Sequence, residues 1–305
     1  MNIKPPLRIK TISEFHKLRG LSKPEHPLIS VLDVEVVKHL PGNGRESLVF
    51  GFYLIALKKN CNFKFKYGQQ EYDFDNGLMS FMSPNQVLKF EPLNKSLKQS
   101  GWLLLIHPDF LWNSSLAKKM SQYEYFEYSV HEALFLSEKE EHTIIGIIQN
   151  IQKEYHLNID TFSQDIIIAQ LEVLFNYANR FYHRQFITRN KINHQILEKI
   201  EKILAEYFES NEQVINRLPK VSHIAESLNL SPNYLSGLLK ILTGQSTQRH
   251  IHNKLIEKAK EKLSTTELSV SEIAYRLGFE HPQSFSRLFK TKTTLSPLEF
   301  RESFN

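Results

Sequence analysis

The sequence has almost no cysteine: Cys61 is the only one among 305 residues. A single thiol excludes a framework of disulfide bonds and any zinc site that needs several cysteine ligands. Cys61 stands where apolar and polar residues alternate, so we interpret it as a packed core residue rather than a reactive thiol. The scarcity of cysteine is compatible with a reducing cytoplasm.

Long apolar runs are missing too. No stretch of about 18 uninterrupted apolar residues occurs, so we expect no membrane span. The first residues, MNIKPPLRIKTISEF, lack the apolar centre of a signal peptide. We therefore expect a cytoplasmic protein with access to the nucleoid. The apolar fraction of 41% and the charged fraction of 23% are those of an ordinary globular protein with room for two domains.

An excess of charge of one sign is also missing until the last third of the chain. Residues 213–305 contain 13 Lys and Arg against 8 Asp and Glu, whereas residues 1–212 contain 25 of each sign. The whole net charge of +5 therefore lies after residue 212. A local positive balance of this kind favours a polyanion such as nucleic acid as a partner.

What is present in the first third is an alternation with period two. Phe63, Phe65 and Tyr67 fall on one side of an extended chain, with polar residues between them. Turn signals such as Asn76-Gly77 separate similar short runs, which are LVFGFYLIAL (48–57), LMSFM (78–82), VLKF (87–90) and WLLLI (102–106). These patterns predict a small antiparallel barrel or sandwich over about residues 7–110.

The pattern then becomes helical over about residues 137–185. Ser137 and Glu140 have the spacing of a capping box. Further along, an apolar seam repeats at spacings of four and three, at Ile167, Leu171, Leu174, Ala178 and Phe181. The seam either packs against the strands of the same chain or joins two subunits, and about two heptads are too few to decide. A polar linker at 186–192 is predicted to separate a first domain, 1–185, from a second, 193–305.

The second domain contains an internal repeat. The segment SHIAESLNLSPNYLSGLLKILTGQST, from Ser222, matches SEIAYRLGFEHPQSFSRLFKTKTTLSP, from Ser271. Each copy has the pattern of a helix-turn-helix, over about 221–242 and 270–292. The turn needs a residue that tolerates positive φ, and Asn229 and Gly278 occupy that position. Each second helix is predicted to begin at a proline, Pro232 or Pro282.

The outward face of each second helix predicts contacts with bases. It presents Asn233, Ser236 and Gly237 in the first copy and Gln283, Ser286 and Arg287 in the second. Asn, Gln and Arg can make paired hydrogen bonds with base edges in the major groove. An arginine in one copy where the other has glycine predicts unequal reading of the two half-sites.

Contacts with phosphates are predicted at Ser231, Lys240, Arg249 and Lys290. For any one of the lysines, the alternative is a solvated surface residue. The alternative for Arg287 is a structural ion pair, for example with Glu272.

At these residues the sequence resembles the DNA-binding domain of the AraC/XylS family of bacterial transcription regulators. The resemblance covers residues 221–301 and is carried above all by VSEIAYRLGFEHPQSFSRLFKTKTTLSPLEFR (270–301). It implies two helix-turn-helix subdomains joined by a long helix, at about 247–263, with recognition helices in major grooves ~34 Å apart. His281 departs from the usual small or acidic cap. Thr294 replaces a common glycine, which Gly244 retains in the first copy.

For the rest of the chain, the resemblance implies a cupin-like sensory barrel followed by helices that pair two subunits. The expected fold class is therefore α+β, with an all-α DNA-binding domain at the end. The expected partners are operator DNA, a second copy of the chain, RNA polymerase, and a small-molecule effector that the sequence does not identify.

The first domain carries no motif that names an effector. Aromatic residues on the predicted strands could line an effector site, but such residues more often form a core; they are Tyr53, Phe65, Phe81 and Trp102. An effector-controlled regulator is our main prediction. The alternatives are a metal-dependent cupin enzyme with a DNA-binding tail and a protein-interaction module.

Signs of catalysis are also lacking. His39 and His107 lack the close spacing of cupin metal ligands, and no phosphate loop or nucleophile grouping is found. We expect no catalysis, no metal and no cofactor. The sequence does not decide whether transcription rises or falls.

Overall fold

The computed structural model describes residues 6–37, 47–59, 65–67, 70–72, 77–89, 100–129, 132–157, 160, 162–188, 190–209 and 218–303. It divides the chain into two compact units, residues 1–185 and 186–305. Cys61, Phe63 and His39 lie outside the described residues, and so does Asn76 of one predicted turn.

The first unit contains both strands and helices. Its elements are β1 (Leu7–Ile9), α1 (Ile12–Arg19), β2 (Ile29–Asp33), β3 (Ser47–Phe50), β4 (Tyr53–Lys59), β5 (Phe65–Tyr67), β6 (Gln70–Tyr72), β7 (Leu78–Met82), β8 (Val87–Lys89), β9 (Ser100–Ile106), α2 (Ser115–Lys119), β10 (Leu134–Phe135), α3 (Glu138–Tyr155) and α4 (Ser163–Thr188). The last three residues of α4 belong to the second unit.

The described strands form three sheets. The strand orders are β1-β3-β8, β10-β7-β4-β9-β2 and β5-β6. These sheets are not closed into a barrel, so the predicted cupin-like barrel is not found among the described strands. In addition, β1 pairs with β3 in parallel, whereas the sequence pattern predicts antiparallel strands.

The apolar run 48–57 is two strands rather than one. The chain leaves β3 after Phe50, bends at Gly51, and enters the larger sheet at Tyr53. The Gly51 N–H donates to the Ile9 carbonyl at 2.9 Å. A Cβ on residue 51 would lie 2.7 Å from the backbone oxygen of Lys10. Glycine is therefore required by the close approach of a distant strand.

A short helix, α1, lies within the region predicted to contain strands alone. Thr11 and Glu14 form its capping box, and Gly20 ends it with a φ of 64°. The helix buries Phe15, whose ring lies 6.0 Å from that of Phe50 and 6.1 Å from that of Phe52. These aromatic rings are part of the core beside the three-stranded sheet β1-β3-β8.

The apolar seam of α4 packs within a single chain. All five side chains are at most 6% exposed: Ile167, Leu171, Leu174, Ala178 and Phe181. Their burial within one chain agrees with the packing interpretation, and a role of this seam in joining two subunits stays a prediction.

The predicted aromatic lining of an effector site also packs as core where it is described. Phe81 is 3% exposed, and its ring lies 4.6 Å from that of Tyr125. The ring of Tyr53 contacts that of Phe126 at 5.2 Å. Tyr125 is enclosed so fully that burial raises its pKa well above the ordinary value. These ring contacts are typical of a packed core.

The described elements of the second unit are all helices. They are α5 (Asn190–Glu209), α6 (Val221–Ser227), α7 (Pro232–Thr243), α8 (Thr247–Thr265), α9 (Val270–Arg276), α10 (Pro282–Thr293) and α11 (Pro297–Glu302). The predicted linker, 186–192, is helical where it is described, because α4 continues to Thr188 and α5 begins at Asn190. Phe186 and Asn193 are buried there, and the Asn193 amide donates to the Phe186 carbonyl. The polar residues that suggested a linker at 186–192 therefore belong to the end of α4 and the start of α5.

Candidate nucleic-acid interface

The helices α6 and α7 form the first helix-turn-helix. Ala225 of α6 and Leu235 of α7 are fully buried, and the small alanine lets the two helices approach closely. Asn229 in the turn has a φ of 54°, as its position in the repeat predicts. Ser231 caps α7 by accepting from the Tyr234 N–H at 3.2 Å, and Pro232 follows at the first helical position.

The helices α9 and α10 repeat this arrangement. Ala274 and Phe285 are fully buried, and Gly278 in the turn has a φ of 86°. Pro282 begins α10. His281 stands at the cap position but makes no side-chain hydrogen bond to the helix, as expected of a poor capping residue.

The predicted base-contacting residues differ in exposure between the two copies. On α10, Gln283 and Arg287 are exposed, while Ser286 is half-buried; on α7, the three residues Asn233, Ser236 and Gly237 are all half-buried. Both hydroxyls are already engaged. Ser236 accepts from Thr247 Oγ1 at 3.2 Å, and Ser286 donates to the Pro282 carbonyl at 3.1 Å. The second recognition helix thus presents the larger free polar surface.

Arg287 does not form the structural ion pair with Glu272. Glu272 accepts from the Ser269 N–H at 2.8 Å within the capping box of α9. Hydrogen bonds with the Ser269 side chain and backbone, and to a smaller extent the charge of Arg276, hold the pKa of Glu272 below its ordinary value. In the described part of the chain, the Arg287 guanidinium has no hydrogen bond or ion pair. The alternative of a structural pair with Glu272 is therefore not found, and the Arg287 side chain is exposed.

Three of the four predicted phosphate contacts are exposed cations: Lys240, Arg249 and Lys290. Ser231 differs, because it is only 8% exposed and its hydroxyl already caps α7. Because Ser231 is buried and its hydroxyl is already bonded, we expect its main role to be capping of α7. The Lys290 charge also acts on Glu299, whose pKa is lowered first by hydrogen bonds with Ser296 and last by this lysine.

The helix α8 joins the two helix-turn-helix motifs. Its 19 residues give a length of about 28 Å at 1.5 Å per residue. Arg301 of α11 holds the far end of α8, donating to the Leu263 carbonyl at 3.2 Å and to the Leu268 carbonyl at 2.6 Å. The sequence shows Arg301 as a motif residue, but its long-range partners are visible only in the structure.

A further helix, α5, packs against α8 ahead of the two motifs. Leu204 of α5 and Leu255 of α8 are buried at 1% and 0% exposure. Glu201 lies 2.8 Å from His250 Nε2 and 2.9 Å from Lys254 Nζ. The sequence indicates a helix here, but it does not indicate these contacts with α8.

The described residues contain neither a membrane-spanning helix nor a group of metal ligands. No helix among them is long and apolar enough to cross a membrane. No group of three or more His, Cys, Asp or Glu side chains among them is placed to hold a metal ion.

One family model and several known proteins match parts of the chain. Residues 224–303 match the model of a family described as "Helix-turn-helix domain". The chain is 38% identical over 79 residues to the HTH-type transcriptional activator RhaS of Escherichia coli O139:H28, covering 26% of this chain and 28% of RhaS. It is 26% identical over 153 residues to Histidine kinase P4 of Formosa agariphila, covering 50% of this chain and 10% of the kinase.

A solved structure is similar to about a third of the chain. The C-terminal domain of the two-component response regulator yesN from Fusobacterium nucleatum is 34% identical, with a TM-score of 0.30, covering 34% of this chain and 95% of that one. The chain spans only 10% to 28% of the length of the curated relatives named above. Their similarity therefore concerns a domain and not whole proteins.

Proposed function

We propose that the second unit is an AraC-type helix-turn-helix domain and that the whole chain is a sequence-specific DNA-binding transcription regulator. The observation that carries this proposal is the duplicated helix-turn-helix. Each copy holds its recognition helix on a small apolar core and leaves a polar face outward. The match of residues 224–303 to the helix-turn-helix family supports the same function.

In this proposal α10 enters one major groove and α7 the next. Arg287 has no competing partner among the described residues, so its guanidinium is free to bond the two acceptors of a guanine edge, and Gln283 can bond adenine. Asn233, Ser236 and Gly237 face the other groove with less polar surface. Lys240, Arg249 and Lys290 bind phosphates and position both helices.

The direct experiment is selection of duplexes from a random library by the full-length protein at physiological salt. The proposal predicts a motif of two half-sites, with centres about one helical turn apart. Binding should exceed that of random competitor by at least about a thousandfold. Equal affinity for selected and random DNA, in every ligand state tried, would contradict the proposed function.

Regulation also requires an effect on RNA polymerase, either by contact or by exclusion from the promoter. A reporter promoter carrying the selected operator should change its output when the protein is expressed. The sign of that change decides between activation and repression. An unchanged output with the operator occupied would show that DNA binding is not coupled to transcription.

We further propose that the first unit senses a small molecule or a partner. It forms a compact unit of its own, and α4 continues from it into the second unit. A thermal-shift screen of the purified protein against metabolites should find a stabilising ligand. The enzyme alternative has no support from a metal site among the described residues. Near-stoichiometric metal in the purified protein would reopen the enzyme alternative.

Homodimer formation is proposed through the exposed face of α4 and not through its buried seam. Phe162 beside its N-terminus, Ile166 and Val173 are 67%, 45% and 42% exposed, and Ala169 between them is exposed as well. Their spacings of four, three and four residues are those of a helix-pairing stripe. This defines the α4 stripe: Phe162, Ile166, Ala169 and Val173.

Sedimentation of the double variant Ile166→Asp with Val173→Asp tests this interface. The wild type should sediment as a dimer and the variant as a folded monomer. The control, Gln149→Asp on an exposed position of α3, should remain dimeric. A monomeric wild type, or a variant that stays dimeric, would remove the α4 stripe from the proposal.

A further inference from the structure

A hydrogen-bonded chain of side chains joins the two helix-turn-helix motifs through the middle of the second unit. Asn253, half-buried on α8, donates from Nδ2 to Gln245 Oε1 at 2.8 Å. Its Oδ1 accepts from Lys292 Nζ at 3.2 Å. Gln245 lies in the turn after α7, and Lys292 lies near the end of α10. One amide therefore contacts both motifs.

The chemistry of the three groups fixes the direction of these bonds. An ammonium group has donors only, so the Asn253 oxygen must face Lys292. The Asn253 NH₂ group is then left to donate to the Gln245 oxygen. Burial, and to a smaller extent the Lys292 charge, lower the pKa of His252, which precedes Asn253 on α8. Alanine or leucine at position 253 could make neither bond.

The position of Asn253 matters because α8 sets the separation of the recognition helices. Thr247, which is 2% exposed, ties the start of α8 to Ser236 of α7, and Arg301 holds its far end. Asn253 lies in the second turn of α8 and adds a link to α10. A shift of α10 relative to α7 would have to break this link.

We propose that Asn253 is a positioning residue, which through Gln245 and Lys292 fixes the separation and rotation of the two recognition helices and so the operator spacing the protein accepts. The inference rests on the proposed function, since it concerns how the two motifs read one duplex. One inserted base pair moves a half-site by about 3.4 Å and rotates it by about 35°. A rigid pair of helices rejects such an operator, and a loosened pair tolerates it.

The test measures full-length protein against the selected operator, operators with one base pair inserted or removed between the half-sites, and a single half-site. The wild type should lose about tenfold in affinity at the changed spacings, and Asn253→Ala no more than about threefold. Both should bind the single half-site equally. Asn253→Asp should restore the wild-type ratio, because its carboxylate accepts from Lys292 and from a turned Gln245 amide.

Two further variants test whether the effect depends on this hydrogen-bonded link. Gln245→Ala removes one arm of the link and should also relax the spacing preference. Ser264→Ala, whose hydroxyl bonds only carbonyls of α8 itself, should leave it unchanged. The inference is overturned if Asn253→Ala keeps the wild-type spacing ratio, loses affinity equally for every probe, or behaves like Asn253→Asp. Failure of the wild type to prefer any sequence would instead contradict the proposed function.

Discussion

Thr294 ends α10 in a backbone conformation that suits glycine. Its φ of 69° lies in the left-handed region, where a β-branched side chain is strained. The matching residue after α7 is Gly244, with the same φ of 69°. We predict that Thr294→Gly raises the free energy of unfolding by about 1 kcal/mol. Urea denaturation of the purified protein measures this change.

The matched control for Thr294 is the reverse change in the first copy. A Cβ at Gly244 would meet no atom within 4 Å, so Gly244→Thr introduces backbone strain without a steric clash. It should lower stability by about 1 kcal/mol. If Thr294→Gly destabilised the protein instead, the strain at this helix end would not be the dominant effect.

We expect sequence specificity to depend most on Arg287. Its guanidinium is exposed and has no partner in the described chain. Arg287→Ala should weaken operator binding by about 1–3 kcal/mol and relax the choice at one base pair. Competition gel shifts with operators substituted at each position measure both effects. Arg276→Ala, an exposed arginine on α9, should leave base preference intact; unchanged affinity and preference in Arg287→Ala would remove this residue from the base contacts.

At the scale of elements, the two helix-turn-helix motifs could be predicted from the sequence because their determinants are local. Ile-Ala pairs at helical spacing, Asn229 and Gly278 at positive φ, and proline at the first helical position all act within a few residues. The repeat then supplied a second copy of each signal. The exposure of Arg287 followed from the same helical periodicity.

The remaining features depend on contacts between residues that are far apart in the sequence, and such contacts cannot be predicted from periodicity. Gly51 breaks the run 48–57 because Lys10, about forty residues earlier in the chain, approaches its Cα. The seam at Ile167 has the same spacing whether a strand or a second subunit covers it. Arg301 and Asn253 form hydrogen bonds with partners on other helices. Their roles therefore could not be predicted from the sequence.

The bend at Gly51 yields a prediction for the first unit. Gly51→Ala places a Cβ 2.7 Å from the Lys10 backbone oxygen, and backbone cannot move aside as a flexible side chain can. We expect a loss of about 1–3 kcal/mol in the free energy of unfolding, as for overpacking in a core. Thermal unfolding followed by circular dichroism measures it.

The control for Gly51 is a glycine inside a helix. A Cβ at Gly146 of α3 would meet nothing within 4 Å. Gly146→Ala should therefore stabilise the protein by about 1 kcal/mol through helix propensity. A neutral Gly51→Ala would show that the two sheets can shift apart at this bend.

For the whole molecule, charge and architecture agree on where nucleic acid binds. The entire net charge of +5 lies after residue 212, in the unit that carries both recognition helices. The first unit, residues 1–185, is close to neutral, with 21 Lys and Arg against 20 Asp and Glu. We therefore expect the affinity for DNA to reside in the second unit.

Hydroxyl-radical footprinting of the selected operator tests whether both recognition helices bind the DNA. It locates each protein contact along the DNA backbone. Two recognition helices in successive major grooves should protect two segments on one face of the duplex, centred about 10 base pairs apart for each bound chain. Arg287→Ala should weaken protection of one segment more than the other. A single protected segment per chain, or uniform protection along the duplex, would contradict the account.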